Sequence, residues 1–183
     1  MKKYNFLSIL ALIFAFQAPA ALAEKVEIVL VDNLNGILNG YCVDIAGGNR
    51  NVDISKGLQT HTCYSYRGSL GEDQIFETSR FANNELYMPN YDVCATLSSL
   101  NTGAKLGLAT CEGNELQNIS LTDEGKLSPL AAPNLCLTAG EETRYGRGGT
   151  SKHQIKTLTL ESCDSSIAAY QTWRVRSYDD DEK

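Results

Sequence analysis

Only two histidines, one tryptophan and four prolines occur in the 183 residues, and beyond residue 23 no apolar run is long enough to span a bilayer. The shortage of long apolar runs excludes membrane insertion by the body of the chain. Positive charge is also scarce: 16 Lys and Arg stand against 22 Asp and Glu, a formal net charge of −6 at pH 7. Nucleic acid and anionic lipid are therefore excluded as partners, because neutralising phosphate needs clustered Lys and Arg. No Cys-x-x-Cys occurs, and only His61 and His153 could complete a ligand set, so no metal site is expected. Gly-x-Ser-x-Gly, His-Glu-x-x-His and a phosphate-binding glycine loop are all missing. With two histidines, nucleophile–base pairs are scarce. Acids are numerous, but nothing marks out the flanking pair that glycoside hydrolysis requires. The sequence reads as a binding protein rather than an enzyme, and it implies no cofactor.

The first 23 residues have the layout of a signal peptide. Lys2 and Lys3 form a positive start, Phe6 to Phe16 an apolar centre, and Ala21-Leu22-Ala23 a small-x-small cleavage pattern after Pro19. The expected mature chain begins at Glu24 and is secreted, to the periplasm or beyond the cell. Losing residues 1–23 removes two lysines and no acid, so the formal charge moves from −6 to −8. The body of the protein is expected over residues 24–177. Residues 178–183, with Asp179-Asp180-Asp181-Glu182, read as a solvated acidic tail.

Six cysteines lie in that body: Cys42, Cys63, Cys94, Cys111, Cys136 and Cys163. An even number in an exported chain argues for disulfides, although the count does not choose among pairings. Taken in order they form three pairs, 42/63, 94/111 and 136/163, which close loops of similar size. In the chain-entropy account each such loop stabilises the fold by roughly 3 kcal/mol, less any strain.

The three pairs belong to a larger repeat. Each opens alike, as Cys42-Val43-Asp44, Cys94-Ala95-Thr96 and Cys136-Leu137-Thr138. The second cysteine closes a short alternating run that starts at Leu58, Leu106 or Leu158. A glutamine, any residue and a bulky apolar residue then follow: Gln74-Ile75-Phe76, Gln117-Asn118-Ile119 and Gln171-Thr172-Trp173. The units are spaced by 42 to 54 residues, and such periodicity marks structural units that share one core. Period-two alternation over Val26–Val31 and Lys156–Glu161 indicates strands. Asn35-Gly36, Asn39-Gly40, Gly47-Gly48-Asn49 and Gly148-Gly149 indicate turns between them. About twelve short strands, four per repeat, fit a closed all-β body, and no amphipathic helix is expected.

The Cys…Cys…Gln-x-aromatic pattern, three times over, resembles the ricin-B-type lectin domain across about residues 26–176. The resemblance implies an all-β, disulfide-stapled β-trefoil of three four-stranded repeats about a pseudo-threefold axis. It also implies that Phe76, Ile119 and Trp173 pack in the core. Repeat two departs from the pattern, since Ile119 replaces an aromatic residue.

Lectins of this type bind a sugar through equivalent positions of a repeat. Here the resemblance implies Asp44 as hydroxyl acceptor, Gln59 as a polar contact, His61 as the stacking ring, and Asp73 and Gln74 as the pair at the motif glutamine. A trefoil lectin usually carries a larger aromatic than His61, and Tyr64 or Tyr66 is an alternative platform. Asp44 could instead cap the turn before Gly47-Gly48. Thr96, Gly107 and Ala109 replace the site residues in repeat two, and Thr138, Thr159 and Glu161 do so in repeat three, so one working site is expected. The Gly-rich basic segment Arg144–Lys152 interrupts repeat three; it could touch an anionic partner, but such a loop is more often simply solvated, and it reads as a solvated loop. The implied function is a secreted lectin for galactose-like or N-acetylgalactosamine-like glycans. A single shallow site binds near millimolar, about 4 kcal/mol. Avidity would then come from an oligomer or from a toxin or enzyme chain that this domain targets. The alternative is a trefoil without a sugar site that binds or inhibits a protein, with Arg144–Lys152 as its contact loop.

Overall fold

The structure, a computed structural model, describes residues 23–47, 52–64 and 71–177. The signal segment before residue 23, the acidic tail, Gly48-Asn49 and Tyr66 lie outside the described residues.

Repeat one supplies β1 (Lys25–Leu30), β2 (Tyr41–Ile45), β3 (Leu58–Thr62) and β4 (Ile75–Glu77). Repeat two supplies β5 (Tyr87–Met88), β6 (Val93–Leu97), β7 (Leu106–Ala109) and β8 (Ile119–Leu121). Repeat three supplies β9 (Leu127–Pro129), β10 (Leu135–Ala139), β13 (Leu158–Ser162) and β14 (Trp173–Arg176). Two further strands, β11 (Arg144–Tyr145) and β12 (Gln154–Lys156), come from the segment that interrupts repeat three. The twelve expected strands are thus present, and the interruption adds a hairpin. Among the described residues the only α-helix is the single turn Ala168–Gln171.

The second and third strands of each repeat pair antiparallel, β2 with β3, β6 with β7 and β10 with β13. First and fourth strands link neighbouring repeats where β8 pairs β9 and β14 pairs β1, and within repeat one β1 also pairs β4. Alternation along β2 and β3 sends Tyr41, Val43, Ile45 and Leu58 inward to the core. It leaves Asp44, Gln59 and His61 together on the opposite face, since Asp44 pairs with Gln59 and Cys42 with His61. This is the fold of the expected β-trefoil, with one core shared by all three repeats.

Phe76, Ile119 and Trp173 are all buried in that core, one from the fourth strand of each repeat. Trp173 donates its indole N–H to the Leu137 carbonyl at 2.9 Å, so its one polar atom is satisfied inside. Gly125, at φ +76°, lets the β8–β9 turn press on this strand, because a Cβ there would sit 2.7 Å from the Trp173 carbonyl. Cys42–Cys63, Cys94–Cys111 and Cys136–Cys163 are disulfides, one in each repeat. The sulfurs of Cys42 and Cys63 lie near Glu27, but they are bonded to each other and Arg176 Nε holds the carboxylate at 2.9 Å.

The alternating run Lys156–Glu161 is not one strand. It breaks at Thr157, whose carbonyl accepts Gly140 N–H at 2.8 Å and the Thr60 hydroxyl at 3.1 Å. Lys156 therefore belongs to β12 and pairs with Thr60 of β3, while Leu158 begins β13. The inserted hairpin has become an extra edge of the repeat-one sheet, in the order β11-β12-β3-β2. Lys156 is buried in this junction, where its ammonium donates to the Glu141 carbonyl and the Thr143 hydroxyl, each at 2.8 Å. Burial of that cation lowers its pKa.

Candidate functional site

The three motif glutamines make the same set of hydrogen bonds. Gln117 donates to the Thr96 hydroxyl at 3.0 Å and the Thr110 carbonyl at 2.8 Å, and accepts Glu112 N–H at 2.7 Å. Gln171 donates to the Thr138 hydroxyl and the Ser162 carbonyl, each at 2.9 Å, and accepts Asp164 N–H at 2.9 Å. Gln74 donates to the Asp44 carboxylate at 2.9 Å and the Thr62 carbonyl at 3.1 Å, and accepts Tyr64 N–H at 2.9 Å. Each glutamine therefore clasps the backbone on both sides of the second cysteine and ties it to the residue two after the first. Repeat one differs in one respect: the tied residue is an acid.

Asp44 caps no turn. It sits in the middle of β2, 1% exposed, and its two oxygens accept Gln59 Nε2 and Gln74 Nε2, each at 2.9 Å. Burial pushes its pKa up from 3.8 to about 7, against the opposing pull of the two amides. Asp73 is 8% exposed and its Oδ1 has no hydrogen-bond partner. Burial, followed by the charge of Asp44, raises its pKa to about 8. Two neighbouring enclosed carboxyls do not both ionise easily, so near neutrality the pair holds on to a proton.

Gln59 and His61 face outward into a cleft of about 520 Å³. His61 donates its Nδ1–H to the Thr62 carbonyl at 2.8 Å, which fixes the neutral tautomer and leaves Nε2 as an acceptor. Burial holds its pKa below the usual value. Tyr64 tilts against it with ring centroids 5.2 Å apart. The third ring is His153, 5.4 Å from His61 and 5.3 Å from Tyr64. These three rings form a continuous aromatic wall, and Ala46, Gly47, Ile155 and the hairpin residues Arg144, Gly146, Arg147 and Ser151 complete the cleft.

The five sequence-predicted site residues are thus brought together in two tiers. Gln59 and His61 line the cleft, whereas Asp44, Asp73 and Gln74 stand behind them. Tyr64 lies in the aromatic wall; Tyr66 lies outside the described residues. Arg144–Lys152 is largely exposed, as expected of a solvated loop, but the pairing of β12 with β3 just beyond it lays the hairpin along the repeat-one site. His153 and Arg147 were missed for the same reason. They are about 90 residues from His61, and no local spacing connects them. The available signal was the apolar–polar alternation of Gln154-Ile155-Lys156, a strand in search of a partner.

In repeats two and three the tied residue is Thr96 or Thr138, with no carboxylate, and Gly107 and Ala109 offer neither amide nor ring. A cleft with fixed acceptors, amide donors and a ring wall suits a polyhydroxylated ligand with an apolar face. Comparison with known proteins bears on that chemistry. In fold, the chain resembles the agglutinin of Abrus precatorius, at 17% identity and a TM-score of 0.59, over 90% of this chain and 52% of the agglutinin chain. It also resembles a non-toxic homologue of type II RIPs from Momordica charantia in complex with α-methyl-D-galactoside, at 19% identity and TM-score 0.58, over 87% and 49% of the two chains. The β-trefoil lectin of the Vibrio vulnificus hemolysin/cytolysin, with N-acetyl-D-lactosamine bound, matches at 16% identity and TM-score 0.50, over 86% and 96%. The chain spans about half the length of the two plant proteins. No curated protein matches it in sequence. Residues 82–181, more than half of the chain, match the model of the ricin-type β-trefoil lectin domain. That segment holds repeats two and three, and the fold repeats the same strands, disulfide and glutamine clasp in repeat one, so this chain belongs to the ricin-type β-trefoil lectin domain family.

Proposed function

We propose that the protein is a secreted lectin with one working site, the repeat-one cleft, and that it binds galactose-like or N-acetylgalactosamine-like sugars without chemical change. The observation that carries this reading is the Asp44–Gln59–Gln74 network. Of the three glutamine clasps it alone ends on a carboxylate, and its Gln59 opens into a cleft walled by the His61 and Tyr64 rings. Ionised Asp44 accepts from the Gln59 amide and so turns the Gln59 carbonyl toward the cleft, where it accepts a sugar hydroxyl. The rings of His61 and Tyr64 take the apolar face of the pyranose. Gln74 holds Asp44, and Asp73 adds a second acceptor behind the cleft.

The galactose preference is supported by the family and by the galactose-containing ligands of the Momordica and Vibrio proteins. Export of a chain starting at Glu24 is supported by the residue pattern of 1–23 and by three disulfides, which persist in oxidising surroundings. A role as the targeting partner of a toxin or enzyme chain fits a weak single site that gains avidity by linkage.

A glycan array probed with the oxidised chain, multimerised to compensate for weak affinity, tests the reading. Binding to galactose-terminated glycans that Asp44→Ala abolishes is the expected result. A well-folded sample that binds no glycan refutes it.

A further inference from the structure

We propose that the repeat-one cleft is built for an acidic glycan, a galactose-type sugar bearing a carboxylate or sulfate, with Arg144 and Arg147 of the inserted hairpin as the receptors of the anion. This rests on the lectin reading above and adds the class of glycan.

The chain carries −6 overall, yet among the described residues the cleft is lined by Arg144 and Arg147 and by no acid, the carboxyls of Asp44 and Asp73 standing behind the opposite wall. Among the described residues neither guanidinium is in an ion pair; the salt bridges there involve Lys56, Arg80 and Arg176. The nearest acids in sequence, Glu141 and Glu142, are exposed and pair with neither arginine. An unpaired guanidinium on a cleft wall is a fork of donors that matches a carboxylate or sulfate.

The hairpin also holds these groups in place. Tyr145 pairs with Gln154 and Arg144 with Ile155, which in turn pairs with His61. Gly146 donates its N–H to the His153 carbonyl at 2.9 Å and accepts Ser151 N–H at 3.1 Å, which closes the tip. Arg147, Gly148 and Gly149 are all left-handed, at φ 52°, 63° and 94°. For an arginine this conformation is disfavoured, and here it forms the bend at the tip of the hairpin beside the cleft. Arg147 lines the same cleft as the Tyr64 and His153 rings, near enough for its charge to act on both. A pyranose stacked on that wall with hydroxyls at Gln59 would place an acidic substituent toward the hairpin.

The test compares lactose, 3′-sialyllactose and 6-sulfated lactose by calorimetry at pH 7.5 and low salt. The proteins are the full chain, the Arg144→Gln/Arg147→Gln variant and Asp44→Ala; thermal unfolding checks that each variant is folded. Expected is at least a tenfold tighter affinity for one or both anionic sugars than for lactose, a preference that shrinks with added salt. The ratio falls to about one in the double arginine variant. The two anionic arms show whether carboxylate or sulfate is preferred. Lactose binding with no gain for either anionic sugar, or a gain that survives loss of both arginines, overturns the inference and leaves the lectin reading standing. Binding of no sugar at all overturns both.

Discussion

Replacing Asp44 with asparagine tests the central network through protein stability, without any ligand. The carboxyl is enclosed, and burial lifts its pKa from 3.8 to about 7. The folded protein therefore keeps this proton across a pH range in which the unfolded chain has already lost it. Stability from this group is fully present below about pH 4. It declines as pH rises, and the decline is complete above about pH 7. The limiting slope is about 1.4 kcal/mol per pH unit for one group, so the whole effect amounts to roughly 4 kcal/mol at most. Asparagine cannot ionise, yet it can keep the network. Gln74 is pinned by Tyr64 N–H and the Thr62 carbonyl, so its amide nitrogen continues to face position 44 and meets the asparagine oxygen. Gln59, whose side chain is held by Asp44 at 2.9 Å, turns its carbonyl to accept from the new amide. Urea unfolding with disulfides intact, followed by the fluorescence of the single buried Trp173, measures the outcome from pH 4.5 to 8. The two proteins should be close in stability at pH 4.5. At pH 8 Asp44→Asn should be more stable by at least about 1 kcal/mol, with some slope remaining from Asp73. Parallel stability curves for the two proteins would refute the claim that Asp44 is folded around its proton.

Three further outcomes follow from the same contacts. Affinity for a neutral galactoside should rise between pH 5 and pH 8, as Asp44 and Asp73 lose protons and become acceptors; a flat titration by calorimetry would remove both from the site. Gln171→Ala deletes three hydrogen bonds of a buried side chain in a repeat that lacks the site, so it should cost roughly 2–4 kcal/mol of stability while glycan binding persists. A loss of less than about 0.5 kcal/mol in denaturant unfolding would contradict the clasp. Tyr64→Phe should retain sugar affinity and Tyr64→Ala should weaken it several-fold by the same calorimetric measurement, because the contribution is the ring rather than the hydroxyl.

Legibility in the sequence follows the range of each interaction. The disulfide pairing, the triple glutamine motif and the burial of Phe76, Ile119 and Trp173 could all be read beforehand, because each repeat writes the same local grammar three times. Four strands per repeat is what the resemblance implies; alternation and turn residues marked only some of them, such as the run Val26–Val31. The repetition also separated structure from function: Gln117 and Gln171 persist where Asp44 has no counterpart, which marks the glutamine as a clasp first.

Tertiary structure alone decided what surrounds the site. The sequence placed Asp44, Gln59, His61, Asp73 and Gln74 in one repeat, since strand pairing over about 15 residues is a short-range matter. It gave no means of ranking them by depth. Whether a side chain is enclosed depends on everything packed against it, and the cleft that Gln59 and His61 face is completed by the Tyr64 ring and a hairpin from another repeat. The break at Thr157 sends β12 to β3 and β13 to β10, so adjacent residues serve different repeats. An edge strand satisfies its backbone on whichever free edge lies nearest in space, and sequence distance does not measure that. That pairing brings His153 and Arg147 to His61, and with them the charge and the aromatic wall of the cleft.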